Sequence, residues 1–186
     1  MHKDETPEYR KHKLVARLHR GSFKGRVYDP TGKQLTEIEG STLNEVMSSL
    51  RDFVDAAYIS RAKGRTSPPE AMEYVRAFQN ILEDLPDSYR EMLKAHYHAP
   101  NRTMTATQLA EAGKYKNWSS ANLHYGLLGK RLYDELPIQL PVHADGTLIY
   151  TFTLATEGNL MQDELEWKWK LRSEVAEAIE HLGLQK

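Results

Sequence analysis

The first part of the chain is written in alternation. From Lys13, the apolar positions Leu14, Ala16 and Leu18 alternate with Val15, Arg17 and His19, the two-residue period of a half-buried strand. Gly21 and Ser22 break it, and Phe23 to Asp29 predicts a second strand. Asp29-Pro30-Thr31-Gly32 reads as a turn, because proline presets φ and glycine tolerates positive φ. Lys33 to Glu39 then predicts a third strand, giving an antiparallel meander. The period changes after Gly40. Ser41 or Thr42 suits an N-cap, and Glu45 lies three residues beyond Thr42 as in a capping box. Leu43, Val46, Met47, Leu50, Phe53, Val54, Ala57 and Tyr58 share one helical face, suited to lie across the small sheet.

The stretch Lys63 to Pro69, KGRTSPP, punctuates the chain. After it, Met72, Val75, Phe78, Leu82 and Leu85 predict an amphipathic helix that stops at Pro86. Pro86 to Leu136 reads as further helices, the last two joined by a tight turn. Pro137 and Pro141 end helix, and His143-Ala144-Asp145-Gly146 signals a hairpin turn. Thr147 to Thr153 is rich in β-branched and aromatic residues and predicts a strand, with Glu166 to Leu171 as its antiparallel partner and TEGNLMQDE as the loop between. Ser173 caps a last helix on which Val175, Ala178, Ile179 and Leu182 share a face, with Gly183 as its stop. Three segments follow: a flexible or loosely docked start at 1–12, a β-meander plus helix at 13–64, and a winged-helix-like helical domain at 65–186. The expected class is α+β, an antiparallel meander with one helix followed by a helical bundle with a winged helix-turn-helix-like hairpin.

The helix-turn-helix centres on TQLAEAG, capped by Thr105 or Thr107 and ended by Gly113. A longer helix follows, capped by Ser119 or Ser120 and expected to bury Leu123, Leu127, Leu128 and Leu132. Gly126 and Gly129 each cost about 1 kcal/mol against alanine inside a helix, which suggests a place where another backbone comes close. Residues near the start of this helix and on its outer face are candidates to read bases or phosphates: Trp118, Ser119, Ser120, Asn122, His124 and Tyr125. Lys114, Lys116, Lys130 and Arg131 would meet phosphates. The alternative is a helical bundle in which the same polar groups are only solvated.

Charge changes this picture by its distribution. Net charge is -1 over 186 residues, yet Met1 to Tyr28 carries eight Lys or Arg against three acids, and Lys94 to Arg131 carries six against Glu111 alone. Two blocks of +5 in a near-neutral chain suggest a polarised surface that steers a polyanion. There is no cysteine, which removes disulfides, thiolate metal sites and a cysteine nucleophile. No run approaches a membrane span and the start lacks the apolar segment of a secretory signal, so a cytoplasmic location is expected.

Catalytic signals are sparse. His96 and His98 stand at i and i+2 and point to different helical faces, with no surrounding metal motif. No phosphate loop, dinucleotide fingerprint or nucleophile elbow is present, and no catalytic, metal or cofactor site is expected. Trp118, Trp167 and Trp169, with Tyr97, Tyr115 and Tyr125, could form an aromatic cage for a base, but Trp167 and Trp169 share a strand face and read more simply as packing under the last helix, which leaves Trp118 as the stacking surface.

The segment LKAHYHAPNRTMTATQLAEAGKYKNWSSANLHYGLLGKRL, followed by EWKWKLRSEVAEAIEHLG, resembles a winged-helix-like bacterial module associated with restriction-type HNH endonucleases and with stand-alone hypothetical proteins. The resemblance covers about half the chain. It implies a DNA-facing or modified-DNA-sensing role near restriction or phage defence, not cleavage by this chain. Double-stranded DNA is therefore the expected partner, bound without catalysis. The alternative is a protein-interaction adaptor that regulates a nuclease or toxin on another chain.

Overall fold

The alternating positions from His12 onward form three strands of a four-stranded antiparallel sheet, and the alternation marks its buried side. A computed structural model describes residues 7–158 and 166–186. The chain is α+β and divides into two units, Met1–Gly64 and Arg65–Lys186, each with its own sheet.

In the first unit, β1 (Glu8–Tyr9), β2 (His12–His19), β3 (Ser22–Tyr28) and β4 (Gln34–Gly40) pair in chain order, with Leu14 opposite Val27 and Ala16 opposite Gly25. The helix α1 (Leu43–Gly64) buries Val46, Met47, Leu50 and Val54 against Leu14, Ala16 and Val27. Gly25 is what lets it come so close, since a Cβ there would stand 2.9 Å from Leu50 Cδ1. Thr42 Oγ1 accepts from the Glu45 amide at 3.1 Å, and the Glu45 carboxylate accepts from the Ser41 amide at 2.9 Å. At the Asp29 turn, Asp29 Oδ1 accepts from the amides of Thr31 and Lys33, both at 2.9 Å. The Thr31 hydroxyl, which donates to the same oxygen at 2.6 Å, together with these amide bonds holds its carboxyl below the usual range.

Two details of this unit differ from the sequence reading. Part of the segment read as a loose start is anchored. Tyr9 Oη donates to Asp55 at 2.8 Å, Arg10 Nε donates to the same carboxylate at 2.7 Å, and the Arg10 guanidinium lies 4.4 Å from the Tyr58 ring centroid. Leu18, expected on the buried side, is exposed beside the turn where Arg20 and Gly21 take positive φ.

The second unit runs α2 (Ala71–Ile81), α3 (Asp87–His98), β5 (Thr103–Thr105), α4 (Ala106–Gly113), α5 (Trp118–Glu135), β6 (Ala155–Glu157), β7 (Lys168–Leu171) and α6 (Ser173–Leu182). Its three-stranded antiparallel sheet has the order β5-β7-β6. The helices α3, α4 and α5 pack together and α2 lies against α6, enclosing Phe78, Met92, Leu93, Leu109, Leu128, Leu132, Leu154 and Ile179. Met72, expected on the buried face of α2, is exposed.

The expected strand Thr147 to Thr153 does not form. Val142 and Leu148 make a single bridge around the His143–Gly146 turn, and Tyr150–Thr153 is a turn of 3-10 helix laid against α5. The cause is Gly129: a Cβ there would run into the Tyr150 carbonyl, so the glycine lets the backbone dock where a pleated strand would have stood off. β7 pairs instead with β5 and β6, through Met104 opposite Trp169 and Ala155 opposite Leu171. The expected loop after Gly158 falls on residues 159–164, outside the described residues.

Candidate nucleic-acid interface

Local sequence sets the turn between α4 and α5. Thr105 caps α4, its Oγ1 accepting from the Gln108 amide at 3.2 Å while Gln108 Oε1 accepts from the Thr105 amide at 2.9 Å. Lys114 takes the left-handed conformation, φ 57°, and closes α4 with its amide on Glu111 and Ala110. Asn117, not Ser119 or Ser120, caps α5: its Oδ1 accepts from the Ser120 amide at 2.8 Å. The serines are displaced into the helix because Asn117 is extended, φ -159°, and reaches the amide first.

Eight of the ten predicted contact residues separate into three groups, and Lys130 and Arg131 are engaged within the protein. Lys114, Lys116, Trp118 and Ser119 are exposed together on the turn and the first turn of α5. Ser120 and Asn122 are half-buried, and Asn122 lines a groove that Trp118 also enters. His124 and Tyr125 are turned inward. The His124 ring stacks on Tyr115 with centroids 4.5 Å apart, and its Nδ1 lies 3.1 Å from Tyr89 Oη. Tyr125 is fully buried, so it cannot reach a ligand without unfolding α5. The true inner face of the helix is Ala121, Tyr125, Leu128 and Leu132, spaced by four, three and four residues, and it turns Leu123 (61% exposed) and Leu127 (40%) outward.

Tyr125 is held by His96. The buried His96 Nε2 lies 2.9 Å from the Trp169 carbonyl, which can only accept, so Nε2 carries the proton. Nδ1 therefore accepts from Tyr125 Oη at 2.7 Å. Burial disfavours the charged imidazolium and lowers the His96 pKa from 6.5 to about 4, against the opposing pull of the Trp169 carbonyl. Burial likewise pushes the Tyr125 hydroxyl upward. His98, by contrast, is exposed, its Nε2 2.9 Å from the Gln185 carbonyl. The two histidines thus serve different ends of the packing. Among the described residues no cluster of three potential metal ligands occurs.

The basic block from Lys94 to Arg131 is mostly engaged within the protein. Lys94 meets the Lys186 carbonyl, Arg102 pairs with Glu180 at 3.4 Å and Lys130 with Asp134 at 3.0 Å. Arg131 donates to the Asp84 carbonyl at 2.9 Å and lies over the Tyr89 ring. That leaves Lys114 and Lys116, beside the N-terminus of α5, as the cations of the block most open to an anion. No protein-family model, curated protein or solved structure matches the chain.

The three tryptophans meet at one groove, although the tyrosines weighed with them do not line it. Trp118, Asn122, Phe152, Ile149, Val142 and Trp169 line a groove of about 760 Å³, together with Trp167 and the carboxylates Glu157 and Glu166. Trp167 and Trp169, expected as packing under the last helix, face it instead. One side of β7 passes from buried Leu171 through half-buried Trp169 to Trp167, which is 44% exposed. Their alternation was visible, but their neighbours come from three distant segments.

Proposed function

We propose that this chain binds duplex DNA without catalysing a reaction, through the α4-turn-α5 element of its C-terminal unit. The observation that carries the reading is the joint exposure of Lys114, Lys116 and Ser119 at the start of an 18-residue helix. Two lysines and the partial positive charge of a helix N-terminus offer a phosphate three sources of attraction at one place. The order α3, β5, α4, α5, β6, β7 also supports a winged-helix reading: three helices followed by a hairpin, with β5 adding a strand to it. On that reading the hairpin strands are β6 and β7, which pair antiparallel. The resemblance noted from the sequence supports a sequence- or modification-sensing role in a bacterial cytoplasm, within restriction or phage defence.

Fluorescence anisotropy with a labelled duplex tests this. Binding should weaken with salt, and Lys114→Ala with Lys116→Ala should lower the salt slope by about two, near one per phosphate contact. Absence of duplex binding at about 50 mM salt, where counterion release favours it, would remove the proposal.

The alternative, a protein-interaction adaptor for a nuclease or toxin on another chain, is favoured by the apolar outer face of α5. Trp118 is 58% exposed there, together with Leu123 and Leu127.

A further inference from the structure

We propose that the tryptophan-lined groove of the C-terminal unit binds the guanidinium group of an arginine presented by a partner polypeptide. This inference is independent of the DNA-binding reading.

Three features of the groove point to this ligand. The first is its walls. Trp118, Trp167, Trp169 and Phe152 converge, with Phe152 perpendicular to Trp169 at 5.4 Å between centroids and Trp167 inclined 61° to Trp169 at 5.9 Å. Differently inclined aromatic planes offer a cation more than one negative face, and indole is the best of the rings for it. The second is charge: Glu157 and Glu166 line the groove together with His143, and among the described residues no Lys or Arg does. Glu166 accepts from Thr107 Oγ1 at 2.6 Å, which fixes that carboxylate in place. Two carboxylates, with no Lys or Arg among the described lining residues, repel a phosphate and attract a positive group, so the groove is distinct in chemistry from the Lys114–Lys116 surface. The third is size. At about 760 Å³ the groove has room for a side-chain stem and flanking backbone as well as a charged head, and Pro141, Val142 and Ile149 can cover the methylenes.

Arginine fits these features better than lysine. Its guanidinium is planar and weakly hydrated, so it stacks on indole, and its fork of N–H donors matches a carboxylate. A strongly hydrated ammonium would lose more on entering an apolar groove.

All three tryptophans of the chain line this groove, so intrinsic fluorescence of the full-length protein reports on it. The protein is titrated with a capped Gly-Arg-Gly tripeptide, with its neutral citrulline counterpart, with methylguanidine and with adenosine. A saturable change with the arginine peptide is expected, weaker by about tenfold with citrulline, which keeps the shape and loses the charge. Methylguanidine, lacking stem and backbone, should also bind more weakly than the tripeptide. Affinity for the arginine peptide should fall by about fivefold or more in Glu157→Gln/Glu166→Gln, and likewise in Trp167→Ala, with an unchanged circular dichroism spectrum as the control on folding. Equal binding of citrulline, or no loss of affinity in the folded glutamine variant, overturns the proposal. Methylguanidine binding as tightly as the tripeptide overturns the polypeptide source. Saturation by adenosine without a response to the arginine peptide means a base site and overturns it entirely, as does the absence of any saturable response to the peptide at millimolar concentration.

Discussion

His96 gives the packing of the C-terminal unit a pH dependence that can be worked out in advance. Its imidazole is buried and neutral, with a pKa held at about 4 against 6.5 for a free side chain. The unfolded chain therefore takes up a proton at this position before the folded one does. The stabilisation is fully present above pH 6.5 and is lost as pH falls toward 4. A separation of that size corresponds to about 3 kcal/mol over the whole window and about 2 kcal/mol between pH 7.5 and pH 5. Urea unfolding followed by tryptophan fluorescence reads the right unit, because all three tryptophans lie between Trp118 and Trp169. The chain has eight histidines, so the comparison is with His96→Gln, which removes this titration and leaves the others. Glutamine should destabilise the protein at pH 7.5, where Tyr125 loses its acceptor, yet show a pH dependence between 7.5 and 5 smaller by about 2 kcal/mol. Equal pH dependence in both proteins would refute the reasoning. So would an NMR titration placing the His96 imidazole near its free value.

Further outcomes follow from the same packing. Gly129→Ala should destabilise by about 1–3 kcal/mol, because its Cβ meets the Tyr150 backbone, while Gly126→Ala, with only Thr151 Oγ1 at 3.8 Å, should stabilise by up to about 1 kcal/mol through helix propensity; paired thermal melts check both signs. Asn117→Ala removes the cap of α5 and should cost about 1 kcal/mol in urea unfolding. Arg65→Ala leaves the Glu73 carboxylate without its two guanidinium bonds, at 2.6 and 3.0 Å, and NMR should find the Glu73 pKa higher than in the parent.

The parts of this protein that were legible in its sequence are those where a local pattern decides the outcome. Strict alternation around Leu14 and Ala16, the Asp29 turn and the apolar face from Val46 to Val54 each carry their own instructions. The glycine at 129 was readable as a close approach, and the approaching backbone is Tyr150. What approaches, however, depends on tertiary contact. Thr147 to Thr153 has the composition of a strand, but docking on α5 outweighs that preference. β5 is three residues long and pairs with a strand more than sixty positions away, so nothing local announced it. On α5, Leu128 and Leu132 are buried as expected, but Leu123 and Leu127 are not. Tyr125 occupies the inner face with Leu128 and Leu132 because His96 satisfies its hydroxyl, and a hydrogen-bonded tyrosine is a large core residue. The contact site divides accordingly. Exposure of Lys114 and Lys116 was expected from the turn, while engagement of Lys130 and Arg131 by Asp134 and Asp84 required the fold.

Whether the start of α5 meets duplex DNA is read by the salt dependence of binding in two charge variants. Lys114→Glu/Lys116→Glu should abolish duplex binding at about 100 mM salt, whereas Arg131→Ala, which removes a strut to Asp84, should change stability more than it changes the salt slope. Duplex binding that survives the double charge reversal with its salt slope intact would contradict that contact.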